Sequence, residues 1–386
     1  MKFAEVIGQQ QIRSELVRTV NENRVSHAQL FLGPQGCGNL AMALAYAQYL
    51  NCENKKIDDS CGICPSCIKS EKLVHPDIHF SFPFIYKEKE KKQICADWLP
   101  EWRQFLQNSP YGNYIRWIQQ LDAENKQGNI NAKECMDILH KLSLKSFEST
   151  YKILILWLPE FLEKEGNRLL KLIEEPPENT VFLFVANDQN LIINTILSRL
   201  QLVKFPRLQQ DDIAEALTKQ FEIEFTRALR IAAMSDGDFN EAIQLMELQD
   251  GERTQQFRNW LANCVQNKPK EVFSWQDDFA RWGRERQKSF FHYGLHIMRE
   301  VIVLHAGARV VDRLTDEEIK LVSGLAKAMH MEQSIYISHL LDKAIYFVER
   351  NANAKILFTY LTVSIMQALN KQESIKVKPF FTSWDV

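Results

Sequence analysis

The sequence predicts an α/β domain built on a parallel sheet flanked by helices, followed by helical domains. Three observations carry that expectation. Continuous apolar runs alternate with amphipathic stretches through the first two hundred residues, the pattern of strands alternating with helices. A glycine-rich turn, Gly33 to Gly38, joins one of those runs to a helix-like stretch. Beyond Phe205 the pattern becomes helical.

Gln29-Leu30-Phe31-Leu32 reads as a short buried strand, and Leu40 to Leu50, rich in Ala and Leu, reads as the helix after the turn. Lys152-Ile153-Leu154-Ile155-Leu156 and Val181-Phe182-Leu183-Phe184-Val185 are apolar on both faces, as central parallel strands are, although pattern alone leaves a buried helix open. Phe205-Pro206-Arg207-Leu208 reads as a junction. Asp211-Asp212 starts a helix through Ala214, Leu217 and Phe221, a second fits Thr226 to Met234 and stops near Gly237, and a third starts around Asp238. From Gly251 to Val386 prolines are few, and long amphipathic stretches such as Ser289 to Leu304 and Ala352 to Leu369 imply an all-helical domain. Because 386 residues exceed what one core serves, the expected domains are 1–205, 206–250 and 251–386. The segment 82–129 stands apart, with Trp98, Trp102 and Trp117 beside the charge run Lys87 to Lys92. The run reads as a solvated face, and the tryptophans read as anchors of an insertion against the sheet domain.

Formal net charge is -2, from 47 basic and 49 acidic side chains. A broad DNA-gripping surface would show a basic excess, so protein partners are expected first. No apolar run of about 18 residues suggests a membrane span, and Met1 to Gly8 lacks the apolar stretch of a secretory signal. The expected compartment is the reducing cytoplasm, where eight cysteines are thiols or metal ligands rather than disulfides.

Gly33-Pro34-Gln35-Gly36-Cys37-Gly38-Asn39-Leu40 has the glycine frame of a phosphate loop, between a strand and a helix. In that motif backbone amides cradle the phosphates, a lysine reaches the β and γ phosphates, and a hydroxyl holds magnesium. Here Asn39 stands at the lysine position and Leu40 at the hydroxyl position. An amide carries no charge and an aliphatic chain offers a metal no oxygen, so Gly33, Gly36, Gly38, Asn39 and Leu40 form a degenerate loop in which nucleotide binding is not expected. The strand Lys152 to Leu156 should end in acids that position magnesium and polarise water. It runs instead into Trp157-Leu158-Pro159-Glu160, with Glu160 too far on to fill either place.

Cys52, Cys61, Cys64 and Cys67 form C-x8-C-x2-C-x2-C, with Gly62 and Pro65 giving tight turns. Four thiolates so close fit a tetrahedral zinc site, and a complete set of protein ligands makes the metal structural rather than catalytic. The scattered Cys37, Cys95, Cys135 and Cys264 read as buried hydrophobes.

Together these motifs resemble the AAA+ clamp-loader family of bacterial DNA polymerase III, in particular its delta-prime subunits, relatives of replication factor C small subunits. The resemblance rests on Val6-Ile7-Gly8-Gln9, on His27-Ala28-Gln29-Leu30-Phe31-Leu32-Gly33-Pro34, on the four-cysteine insertion followed by His75-Pro76-Asp77, and on Asn167-Arg168-Leu169-Leu170-Lys171-Leu172-Ile173-Glu174-Glu175-Pro176-Pro177. It implies an AAA+ domain with a zinc module at 52–67, a small helical lid at 206–250 and a helical collar at 251–386. It also implies a ring of five with gamma/tau and delta subunits that loads the sliding clamp onto primed DNA, this member being an inert stator without ATPase activity. Ser198-Arg199-Leu200 matches the family's S-R-C motif, so the resemblance makes Arg199 an arginine finger acting in trans on a neighbour's ATP, with Ser198 beside it. Asn187 matches a polar residue aimed at the γ phosphate, and Asn240 stands where active members carry a nucleotide-sensing arginine. Two other readings are an active gamma/tau-like ATPase using unconventional residues and an independent zinc-bearing nucleic-acid binder. Turnover by the chain alone would mark the first, and steeply salt-dependent DNA affinity the second.

Overall fold

The computed structural model describes residues 1–86, 93–122, 126–247, 250–266, 269–308, 314–350 and 352–370. The charge run Lys87 to Lys92 lies outside the described residues. The chain divides into two compact units, residues 1–223 with 236–240, and residues 224–235 with 241–386.

Among its described residues the first unit holds five strands, β1 (Ala28–Leu32), β2 (Ile78–Ser81), β3 (Lys152–Trp157), β4 (Thr180–Ala186) and β5 (Gln201–Lys204). They form one sheet in the order β2-β3-β4-β1-β5, every pair parallel. Parallel neighbours need crossovers, and these are supplied by α2 (Asn39–Asn51), α3 (Pro65–Glu71), α4 (Leu99–Asn108), α5 (Tyr114–Gln120), α6 (Ala132–Ser143), α7 (Leu170–Glu174) and α8 (Asn194–Leu197), while α1 (Gln10–Asn21) precedes β1 and α9 (Gln210–Phe221) follows β5. The two runs read as central strands, now β3 and β4, are central and buried along their whole length, and the run read as a short buried strand, now β1, lies between β4 and β5. Phe31 pairs with Val185 on one side and Val203 on the other.

Two strands are additions to the expectation. β2 and β5 are four-residue edge strands. An edge strand covered on fewer sides tolerates polar residues, and β5, Gln-Leu-Val-Lys, is largely exposed. Neither makes the continuous apolar run that betrays a central strand.

All thirteen residues of α2 are buried, as a helix apolar on every side should be. Small Ala41, Ala43, Ala45 and Ala47 let its neighbours approach closely. The inserted segment brings its own core: Trp98, Trp102 and Trp117 are each at most 1% exposed. The Trp102 ring stacks on Phe82 at 4.2 Å and meets Trp117 edge-on at 5.2 Å. The expected anchoring is direct, since Trp102 also packs on Trp157 of β3 at 5.2 Å.

Beyond the sheet, the described residues form helices α10 (Phe225–Met234), α11 (Phe239–Glu247), α12 (Asp250–Val265), α13 (Pro269–Arg281), α14 (Arg284–His305), α15 (Asp316–Ala328), α16 (Met331–Glu349) and α17 (Ala354–Asn370). Within the second unit, Phe279 stacks on Phe358 at 4.4 Å, and the buried Trp260 indole donates to Thr362 Oγ1 at 3.0 Å. Thr315 caps α15, accepting the Glu318 amide, the reciprocal arrangement of a capping box. Among the described residues no helix is long and apolar enough to cross a membrane.

Candidate functional site

In a parallel sheet every strand ends on the same edge, and ligands bind beyond the carboxyl ends where the strand order reverses. That place is beside β1 and β4, and the glycine loop occupies it. Gly36 and Gly38 have φ of +67° and +90°, conformations that tax any residue with a Cβ. Asn39 does not point outward as a phosphate-seeking lysine would. Its Nδ2 donates to the Ala186 carbonyl at 3.0 Å and the Phe31 carbonyl at 3.4 Å, while its Oδ1 accepts the Leu40 amide at 2.9 Å. The side chain thus ties the end of β4 to the end of β1. Leu40 is 3% exposed and belongs to the core. Burial raises the Cys37 thiol to about 12, so it stays protonated.

The opposite wall is equally apolar. β3 ends in Leu156 and Trp157, both buried. The Trp157 indole lies 5.2 Å from the Trp102 ring and 5.7 Å from that of Phe105. Glu160 does reach this edge, by a different route from a magnesium ligand. Its Oε1 accepts the backbone amides of Asn187 at 2.7 Å and Asp188 at 3.0 Å. Burial raises its pKa against the lowering by those amides. Asn187 itself borders the small cavity at the loop.

The inserted segment covers the loop. A Cβ on Gly38 would lie 2.9 Å from Cε1 of Tyr111, and one on Gly36 would lie 1.8 Å from Oδ1 of Asp238. The Ile7 amide donates to the Tyr111 hydroxyl at 2.8 Å, and the Tyr111 ring meets Phe239 edge-on at 5.1 Å. Burial raises the Tyr111 pKa above the usual phenol range, outweighing the Ile7 amide. Arg116 Nη1 donates to Asn240 Oδ1 at 3.2 Å, so an arginine of the insertion adjoins the residue expected to lack a sensor's charge. The cavity left among Gly38, Asn39, Tyr111, Trp157 and Asn187 has a volume of about 10 Å³, room for roughly one water.

The four predicted cysteine ligands do come together. The sulfurs of Cys52, Cys61, Cys64 and Cys67 all lie within 4.8 Å of one another, with Cys61 Sγ 3.9 Å from Cys67 Sγ. Tetrahedral bonds of about 2.3 Å place sulfurs roughly 3.8 Å apart, so the cluster could hold zinc. The amides of Cys61, Cys64 and Cys67 donate to cluster sulfurs at 3.3 to 3.4 Å, which favours thiolates. The cysteines outside it, Cys37, Cys95, Cys135 and Cys264, are all buried. Behind the cluster, His75 Nε2 lies 3.1 Å from Ser66 Oγ and 3.0 Å from Ser149 Oγ. The Asp77 carboxylate accepts the amides of Phe147, Glu148 and Ser149 at 2.5, 2.9 and 2.9 Å, joining the cysteine module to the start of β3.

Arg199 lies just after α8, shortly before β5. Its guanidinium is ion-paired with Glu174. Its Nη1 also donates to the Thr195 carbonyl at 2.5 Å and to Ser198 Oγ at 3.2 Å. With a side chain 34% exposed, it is oriented and accessible together. The sequence reading identified the loop, the cysteines and Arg199. It did not point to Tyr111, to Asp238 or to the contacts of Glu160, and of these only Tyr111 has a sequence signal, the aromatic density between Trp98 and Trp117.

A family model described as "DNA polymerase III, delta subunit" matches residues 8–209. Among curated relatives, DNA polymerase III subunit tau of Bacillus subtilis is 26% identical over 252 residues, covering 64% of this chain and 37% of the relative. The tau subunit of Escherichia coli is 24% identical over 251 residues, covering 64% and 32%. The chain therefore spans about a third of the length of these relatives. A solved gamma-subunit-related protein of Thermotoga maritima aligns over 92% of this chain and 99% of its own, at 16% identity and a TM-score of 0.38.

Proposed function

The chain belongs to the DNA polymerase III delta-subunit family, and on that premise we propose that it is a clamp-loader subunit of the delta-prime kind, one that hydrolyses no ATP and serves as a stator. One observation carries the reading. Every position where a phosphate loop needs a charge or a metal ligand holds a side chain already committed to the core: Asn39 to two strand carbonyls, Leu40 and Leu158 to apolar packing, Trp157 to an aromatic cluster. Phosphoryl transfer is catalysed by positioned cations and by groups that orient the nucleophile, and this edge offers neither.

In this reading the chain contributes to catalysis elsewhere. Arg199, with Ser198 beside it, would reach the γ phosphate of ATP on a neighbouring gamma/tau subunit and stabilise its developing charge. The Glu174 pair supports this, because it holds the guanidinium at the surface until a more highly charged phosphate competes for it. The cysteine cluster would hold a structural zinc, residues 206–250 would form the lid, and residues 251–386 the collar of a five-membered ring with gamma/tau and delta. That ring would load the sliding clamp onto primed DNA in the cytoplasm.

The test is Arg199→Ala in the reconstituted loader. A finger is worth about 10³–10⁵ in rate at the site it serves, so DNA-stimulated ATPase should lose the contribution of one site while the variant folds and assembles normally. Unchanged ATPase would remove the finger role. ATP turnover by the purified chain alone would favour the gamma/tau-like alternative.

A further inference from the structure

The contacts over the glycine loop lead beyond that function. We propose that the turn at 109–113 is a built-in occupant of the phosphate-loop pocket, with Tyr111 taking the ground that a nucleotide's phosphates would need. A phosphate held by the loop must approach the amides around Gly36 and Gly38 closely, which is why the motif has glycines there. Side chains stand close against both glycines. The Tyr111 ring lies over Gly38, and the Asp238 carboxylate lies against Gly36, where it also repels an incoming anion. What remains is room for about one water.

The occupant also binds as a ligand would. One side chain bridges three segments distant in sequence: its hydroxyl takes the Ile7 amide at 2.8 Å, its ring covers Gly38, and its edge contact with Phe239 is at 5.1 Å. Arg116 adds a second tie, to Asn240. The amino-terminal segment, the loop and the start of α11 are therefore held in one arrangement whether or not ATP is present. This stands on the loop's own contacts, independent of any clamp loader.

Two measurements on the full chain test it. In the first, the lysine and hydroxyl are restored as Asn39→Lys with Leu40→Thr, and a fluorescent ATP analogue with magnesium is titrated into the double variant and into the triple variant carrying Tyr111→Ala. The triple variant should bind at least about tenfold tighter, since only it vacates the pocket; equal binding by both would overturn the proposal. In the second, hydrogen exchange is followed in single variants. Tyr111→Phe should speed exchange at Ile7 alone. Tyr111→Ala should speed it about tenfold or more at Ile7 and at residues 36–40, with the second unit unchanged. Unchanged exchange at these amides would overturn the proposal even if neither loop variant bound the analogue.

Discussion

Placing a carboxylate at the end of β3 should unfold the sheet domain. The perturbation is Trp157→Glu. Trp157 is 3% exposed and packs on Trp102 and Phe105, so removing its ring costs about 3–5 kcal/mol, as for other buried tryptophans. The new carboxyl would sit among those rings without a partner, adding about 1–3 kcal/mol even when protonated. The combined loss of about 4–8 kcal/mol is comparable to the whole stability of a domain, about 5–15 kcal/mol. The sign with pH follows: burial raises the folded pKa of such a carboxyl above its unfolded value, so the deficit is smallest below the unfolded pKa and grows as pH rises. Urea unfolding followed by near-UV circular dichroism, at pH 4.5 and pH 7 as about the two ends of that range, measures it. Trp157→Phe is the control, because it keeps a ring and adds no charge. If the glutamate variant were no less stable than the phenylalanine variant at pH 7, the account of this edge as an apolar core would be wrong.

Other perturbations separate the remaining claims. Cys64→Ser should reduce zinc from about one per chain to near none by metal analysis, and a metal-free wild-type chain of equal stability would remove the zinc assignment. Asp77→Asn should cost about 1.5–3 kcal/mol at neutral pH through weakened charged hydrogen bonds to Phe147, Glu148 and Ser149. Burial opposes but those amides lower the Asp77 pKa, so its stabilisation is present above the unfolded carboxyl pKa and is lost as pH falls through the folded one. The gap between variant and wild type should therefore close in acid urea titrations. Thr362→Val should destabilise the second unit by about 1–3 kcal/mol, because it orphans the buried Trp260 indole N–H; an unchanged urea midpoint would contradict that.

The sequence made visible what depends on neighbours in the chain. β1, β3 and β4 announced themselves because burial on both faces demands continuous apolar runs. The cysteine cluster was legible because all four cysteines fall within residues 52–67. β2 and β5 were not, since edge strands carrying His79, Gln201 and Lys204 need no such run. Tyr111 was invisible for another reason: its partners Ile7, Gly38 and Phe239 lie far away in sequence, and no local pattern marks a tyrosine that will close a distant loop. The Glu174 partner of Arg199, 25 residues upstream, escaped in the same way. The Asn39 substitution could be read as a missing charge, but its positive role, tying two strand ends together, needed the sheet to be seen.

The aromatic cluster under the insertion has an evolutionary consequence. Trp157 is comfortable only because Trp102 and Phe105 cover it, and those rings have their place only because no acid stands at 157. An acid could enter position 157 only if several of these side chains changed together, since one placed there alone would sit among the rings without a partner. The packing works as a ratchet, making this aromatic edge hard to alter one mutation at a time.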